Sequence, residues 1–329
     1  MSIPISGIET KIFDPLDPVL AMNGAELLDP TVLYRCGQWF MICAGQAHGF
    51  GPPELFTASL SRSAPLAPGG WILQRDLDGE PIPLTHSLSK VWDAGGGRHC
   101  PCYVRGFDPE LGQWVERIYY ACAAEFIWGP YAIGFLEWNG SEWIDRAQPV
   151  FAATEPWELG SVYEPNLIYH DGEWKLWYVS GSNREDRIVH GYSESADGIS
   201  GWTQHRIFAP PELKLFDFSI RPRGNGFDAV FSRVWLDRQT PPAPETGLCW
   251  CRCDTPAPTL AEWSAPVQIM TAEDRGWHSG PFKPSLQFED QPSGQALIFF
   301  SGSRRTGDPG PFPFAFTLGG LRVQLLQPA

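Results

Sequence analysis

The chain lacks any apolar run of 18 residues, which excludes a membrane-spanning helix. Its start, MSIPISGIETKIF, has no basic stretch followed by an apolar core. No secretory leader is legible there, and a cytoplasmic location is the expectation. Basic residues are few, 24 against 38 acidic ones, for a net charge of −14. Without a lysine or arginine stripe there is nothing to neutralise phosphates, so nucleic acid is excluded as a partner. No stretch longer than a turn or two combines a 3.6-residue apolar period with caps, which excludes helices as the main element. The eight cysteines come without a leader and read as reduced, small buried hydrophobes. Cys249, Cys251 and Cys253 alternate, so they share one face of a strand. His99, Cys100 and Cys102 are soft ligands in no strong zinc spacing, and no metal is expected there.

What the chain does have is a pattern that returns five times: DPTVL from Asp29, CPCYV from Cys100, EPNLI from Glu164, DFSIR from Asp217 and KPSLQ from Lys283. Each leads into an aromatic-rich strand: QWFMICAG, RIYYACAA, EWKLWYVSG, FDAVFSR and QALIFFSGS. Each unit ends in a short strand opened by Trp71, Trp143, Trp202, Trp263 and, in the last copy, Leu321. Because they recur at one position, these tryptophans read as core or inter-blade packing. One four-stranded unit repeated five times predicts an all-β fold, a five-bladed β-propeller of four-stranded antiparallel blades around a central channel. A lone blade exposes two apolar faces; stacking blades around an axis buries both. Blades are expected near residues 25–80, 92–150, 160–210, 213–270 and 278–325, with residues 1–24 packing on the ring or adding an outer strand.

In such a ring the innermost strand of each blade begins at one rim, and the loop after the second strand returns to that rim. The five anchors therefore converge on one mouth with His48, Glu125, Asn183, Arg184, Arg233, Asp237 and Arg304 from the return loops. The entering loops add Asp93, His99, Trp157, Trp277 and His278. Trp92, Trp128, Trp157, Trp235 and Trp277 could stack on a sugar ring. Carboxylates and cations crowded into a desolvated cleft are costly unless they pair or do work. The plain alternative for any anchor is a carboxylate that accepts backbone N–H groups and stitches neighbouring blades.

DPTVLYRCGQWFMICAG, and above all YEPNLIYHDGEWKLWYVSG, resemble the five-bladed propeller glycosidases, which include glycoside hydrolase families 43, 32, 62, 68 and 130. The resemblance covers roughly residues 20 to 325. It implies a general base at Asp29 and a general acid at Glu164. It also implies a blade-two aspartate that tunes the acid, and here the chain departs, with Cys100 at that position. Asp217 and Lys283 are expected to shape the charge states of the pair. The resemblance further implies that a channel cation such as Ca²⁺ could sit near His278, although no loop here is rich in Asp. Glycosidic cleavage needs an acid for the leaving oxygen and a carboxylate to activate water or attack directly. Anchors on non-adjacent blades suit the wider spacing of an inverting pair.

The leading expectation is thus a glycosidase-like enzyme acting on a saccharide or small sugar-like substrate. Substrate contacts are expected from His48, Asp93, His99, Cys100, Glu125, Trp128, Arg184, Arg233, Trp235, Trp277, His278, Lys283 and Arg304. Two alternatives stand beside it. The ring could serve a non-hydrolytic biosynthetic step on a small molecule, with Lys283 holding a carboxylate or phosphate. It could also be a non-catalytic saccharide-binding module.

Overall fold

The computed structural model describes residues 10–13, 27–46, 51–60, 65–67, 70–85, 92, 96–123, 129–182, 187–233, 247–271, 279–303 and 316–326. These residues form five four-stranded antiparallel sheets, the blades of a five-bladed propeller. An N-terminal strand, β1 (Thr10–Phe13), precedes the first blade. Blade 1 holds β2 (Leu27–Arg35), β3 (Gln38–Gly45), β4 (Glu54–Leu60) and β5 (Trp71–Leu73). Blade 2 holds β6 (His99–Asp108), β7 (Gln113–Ala123), β8 (Tyr131–Trp138) and β9 (Trp143–Asp145). Blade 3 holds β10 (Val162–His170), β11 (Glu173–Ser182), β12 (Arg187–Ser195) and β13 (Thr203–Ala209). Blade 4 holds β14 (Leu215–Arg223), β15 (Gly226–Arg233), β16 (Gly247–Cys253) and β17 (Val267–Thr271). Blade 5 holds β18 (Ser279–Asp290), β19 (Gln295–Ser303) and β20 (Phe316–Gln324), and β1 pairs with β20 as its fourth strand. Leu321, expected to open a closing strand, therefore lies inside the third strand of its blade. No helix among the described residues is long and apolar enough to cross a membrane.

The core is not one mass but five wedges, each shared by two neighbouring blades. Strand periodicity explains this. On β15, Phe227, Ala229 and Phe231 face blade 3, while Val230 faces blade 5. On β11, Trp174, Leu176 and Tyr178 face blade 2, and Trp177 faces blade 4. A buried side chain of this size contributes about 1.5–3 kcal/mol, so each strand stabilises two interfaces at once. Trp71 closes the first and last blades against each other, edge-on to Phe299 at 5.8 Å. All eight cysteines are free thiols, seven of them buried; Cys249, Cys251 and Cys253 fill the wedge between blades 3 and 4.

The inner strands share one irregularity. Their register breaks at the anchor: between Leu28 and Thr31, His99 and Cys102, Tyr163 and Asn166, Leu215 and Phe218, and Phe282 and Ser285. Four anchors take left-handed backbone there, Asp29 (φ 56°), Cys100 (53°), Glu164 (52°) and Lys283 (48°). Each of the four precedes a proline, which has no N–H for the ladder and is tolerated in sheets at such bulges. Asp217 precedes Phe218 and is not at positive φ. Left-handed conformation costs a non-glycine residue about 1–2 kcal/mol, and strain of this kind gathers where function needs a side chain re-aimed.

Two residues past the anchor a second ring closes the blades together. Thr31 Oγ1 accepts from Tyr103 N (3.3 Å), and Cys102 Sγ accepts from Leu167 N (3.3 Å). Ser219 and Ser285 Oγ accept from Leu286 N and Val32 N, each at 2.9 Å. Several buried polar groups among the described residues lack a hydrogen-bond partner, and one of them is a histidine. His190 on β12 packs against Phe208 and Phe218, and neither ring nitrogen has a partner among the described residues. Burial, with the charge of Lys283 second, lowers its pKa to about 3.

A buried neutral histidine contributes stability that is present above the unfolded-state pKa near 6.5 and is lost as pH falls toward the folded-state value. His190→Phe should therefore lose less stability than wild type between pH 7 and pH 5, read as urea midpoints. Parallel declines for the two proteins would refute this role for His190.

Candidate active site

The bulges aim the anchors at the axis, where four ionisable side chains meet almost out of water. Asp29, Glu164, Asp217 and Lys283 are 2, 5, 0 and 3% exposed. Lys283 Nζ stands 2.9 Å from Glu164 Oε2, an ion pair without hydrogen-bond alignment. The Cys100 thiol donates to Glu164 Oε1 at 2.9 Å. Asp29 Oδ2 accepts from Cys100 N (3.1 Å), and Asp29 N donates to Ser301 Oγ (2.7 Å). Asp29 Oδ1 is buried with no partner among the described residues. Asp217 is saturated instead: Oδ1 accepts from Ser232 Oγ (2.7 Å) and Oδ2 from Lys283 N (2.6 Å). Asp217 thus stitches blade 4 to blade 5.

Burial sets the charge states. It pushes Asp29 and Asp217 up to about 7, and the Glu164 charge adds to both shifts. Burial, then the charges of Asp29 and Glu164, pushes the Cys100 thiol well above its usual value, so it is a neutral donor. Lys283 is pushed up despite its burial, with the Glu164 charge the largest favourable cause. Burial lowers His99; its Nε2–H faces Gly96 O at 3.1 Å, leaving Nδ1 as an acceptor. Asp29, Cys100 and Glu164 offer donor atoms within 4.8 Å of one another. A cation would meet the Lys283 ammonium and a protonated thiol there, so this trio does not suit one.

Above the charges lies a cavity of about 440 Å³, with Asp29, Cys100 and Glu164 on its floor. Its wall is built largely from the residue preceding each anchor: Leu28, His99, Tyr163, Phe216 and Phe282. Tyr131 and Phe316, which open the third strands of blades 2 and 5, complete an aromatic belt. Successive ring centroids from His99 through Tyr131, Tyr163, Phe216 and Phe282 to Phe316 are 5.9, 5.5, 6.0, 6.5 and 5.3 Å apart, all tilted or edge-on. The sequence reading missed this belt, although its signal, an aromatic or His immediately before four of the five anchors, is plain once the bulge is known.

Other expected contacts lie elsewhere. Lys283 is not part of the cavity wall, and Arg233 donates to Leu213 O (3.1 Å) outside it. Trp92 stacks on Tyr120 and Trp157 on Tyr178, so both serve wedges between blades rather than the cavity. His48, Asp93, Glu125, Trp128, Arg184, Trp235, Trp277, His278 and Arg304, with Asn183 and Asp237, lie outside the described residues. One oxygen of Asp29 and one of Glu164 lie within 4.8 Å of each other, although the two residues come from non-adjacent blades.

No family model and no characterised protein matches the sequence. Solved structures share the fold. A thermostable family-43 glycoside hydrolase aligns with a TM-score of 0.61 at 14% identity, over 92% of this chain and 96% of its own. The catalytic domain of a GH62 α-L-arabinofuranosidase from Coprinopsis cinerea aligns at 0.61 and 13% identity, over 98% of both chains. A family 117 glycoside hydrolase from Zobellia galactanivorans aligns at 0.64 and 12% identity, over 97% and 90%. The chain is a five-bladed propeller of the kind these glycoside hydrolases share.

A carboxyl whose pKa is raised on folding contributes stability that is present below its unfolded value, near 4, and lost as pH rises through its folded value. For Asp217 that window runs from about 4 to about 7. Asp217→Asn keeps the shape and removes the charge. Relative to wild type it should gain stability between pH 5 and pH 8, by roughly 1–3 kcal/mol. Urea denaturation at the two pH values measures this, and a difference that does not change with pH contradicts it.

Proposed function

We propose that this chain is a glycoside-cleaving enzyme that works with Asp29 and Glu164 on a saccharide held in the axial cavity. One observation carries the reading. Two buried carboxylates, each with one oxygen that has no hydrogen-bond partner among the described residues, form the floor of a cavity walled by a belt of aromatic rings. Aromatic faces suit the C–H surfaces of a sugar. The dry wall strengthens every electrostatic interaction on the floor. One carboxyl pushed up to about 7 beside a second carboxylate is the pairing that acid/base cleavage of a glycosidic bond requires. The fold neighbours support this class of chemistry, and the arabinofuranosidases among them make pentofuranosides the first substrates to try.

A non-hydrolytic step on a small molecule is the second reading. It rests on Cys100, a neutral thiol on the cavity floor. Its other support weakens, since Lys283 pairs with Glu164 outside the cavity wall and is not placed to hold a substrate anion.

The test is a panel of nitrophenyl glycosides, beginning with the α-L-arabinofuranoside, together with oligosaccharides. With a substrate in hand, Glu164→Gln and Asp29→Asn should each lower kcat by roughly 10²–10⁴ while melting as cooperatively as wild type. Wild-type turnover in either variant would remove that residue from the chemistry. Binding of saccharides without turnover would point to a binding module instead.

A further inference from the structure

The axial cavity changes character with depth. Its floor is polar, with Asp29 and Glu164 each keeping a buried oxygen that has no hydrogen-bond partner among the described residues. The belt above it consists of six rings, those of His99, Tyr131, Tyr163, Phe216, Phe282 and Phe316. All six are only half-buried. Rings of the same kind in the wedges between blades, such as Tyr119, Phe231 and Phe299, are fully buried. Apolar surface left open inside a cavity marks a place for a ligand. Successive belt rings are turned by between 47° and 83° against each other. None of these pairs is stacked, so ring faces are left for a flat guest.

Hydrogen-bonding groups are scarce at the level of the belt. Ser161 Oγ already accepts from Tyr131 N (3.1 Å), and His99 Nε2–H faces Gly96 O (3.1 Å). Among the described wall residues this leaves His99 Nδ1, the Ser161 hydroxyl proton and the two tyrosine hydroxyls. A sugar ring carries a hydroxyl on most of its carbons, and each one buried without a partner costs free energy. A sugar therefore suits the floor, where carboxylates accept from its hydroxyls. An aromatic ring suits the belt, where it needs no partner. The cavity of about 440 Å³ falls in the range of about 300–1,000 Å³ that takes a drug-sized molecule, so it has room for both.

We propose that the belt binds an aromatic aglycone and that the substrate is an aryl glycoside, with its sugar on the floor and its glycosidic oxygen where floor and belt meet. The proposal rests on the glycoside-cleaving reading above for the bond that breaks, and on the belt alone for the aromatic group. The alcohol released is then a phenol rather than a second sugar. Phe216 and Phe282, which precede the anchors of blades 4 and 5 with ring centroids 6.5 Å apart, become specificity-determining residues. An aromatic leaving group covers their rings, whereas a second sugar at the same level leaves hydroxyls unpaired.

The test uses the full chain and two kinds of probe. In calorimetry 2-naphthol alone should bind the wild type, and Phe216→Ala and Phe282→Ala should each weaken it about tenfold while melting as cooperatively as wild type. Phe282→Leu keeps the apolar volume and should also weaken binding, which covers an alanine variant that fails to fold. For the sugar that the enzyme turns over, the phenyl thioglycoside should inhibit about tenfold more tightly than the methyl thioglycoside. Both alanine variants should bring the two inhibition constants together. Equal inhibition by the pair, an oligosaccharide with a lower KM than any aryl glycoside, or no binding of 2-naphthol overturns the proposal while leaving the hydrolase standing. Belt-dependent binding of 2-naphthol by a chain that cleaves no glycoside supports the aromatic site and overturns the hydrolase.

Discussion

Three carboxylates share the axis of this ring with one ammonium, and the site depends on that cation. Lys283 lies in the field of Glu164, Asp217 and Asp29, all of them buried. Two unit charges about 4 Å apart interact by about 4 kcal/mol at an effective dielectric near 20, enough to decide protonation states. Without Lys283 the like charges would repel at close range, and burial would favour a proton on each. With it, the pull of the ammonium works against the burial that pushes Asp29 and Asp217 up to about 7. The thiol at Cys100 belongs to the same balance. A fourth carboxylate there would add charge to a cluster that already exceeds its counter-ion; a neutral donor does not.

The bulge at the head of each inner strand converts five ordinary strand starts into three layers along the axis. The residue before the bulge faces the cavity, the anchor forms its floor or the charge beneath, and the residue two past the anchor accepts a backbone N–H from the next blade at four of the five interfaces. Recognition, charge and closure are thus separated by only three residues of sequence. The same geometry explains how little of the floor water can reach.

The repeat made the fold legible, because strand chemistry and turn chemistry agreed with it in every copy. The anchors were legible for the same reason, down to the chance that a carboxylate might stitch neighbouring blades, as Asp217 does by accepting from Lys283 N. The last blade was less so. Its fourth strand comes from the far end of the chain, and counting forward from Lys283 placed Leu321 one strand too late. The aromatic belt was missed because alternation assigns the residue before an anchor to the opposite face; the bulge cancels that alternation. Trp92 and Trp157 were misjudged as wall residues because a loop position says nothing about which neighbour an indole will meet. The pairing of Lys283 with Glu164 has no signature in spacing, since the two lie on blades 3 and 5.

The pairing of β1 with β20 has a consequence of a different kind. Thr10 lies opposite Gly320, a contact between almost the two extremes of the described chain. During synthesis the first strand must wait, unpartnered, until nearly all the rest has emerged. Four blades can stack as they appear, each on the one before. The wedge between the first and last blades, with Trp71 against Phe299, forms only when the end arrives. The axis, and with it the site, therefore comes into existence in one late event rather than blade by blade, and a nascent chain has an open edge on each side until that moment.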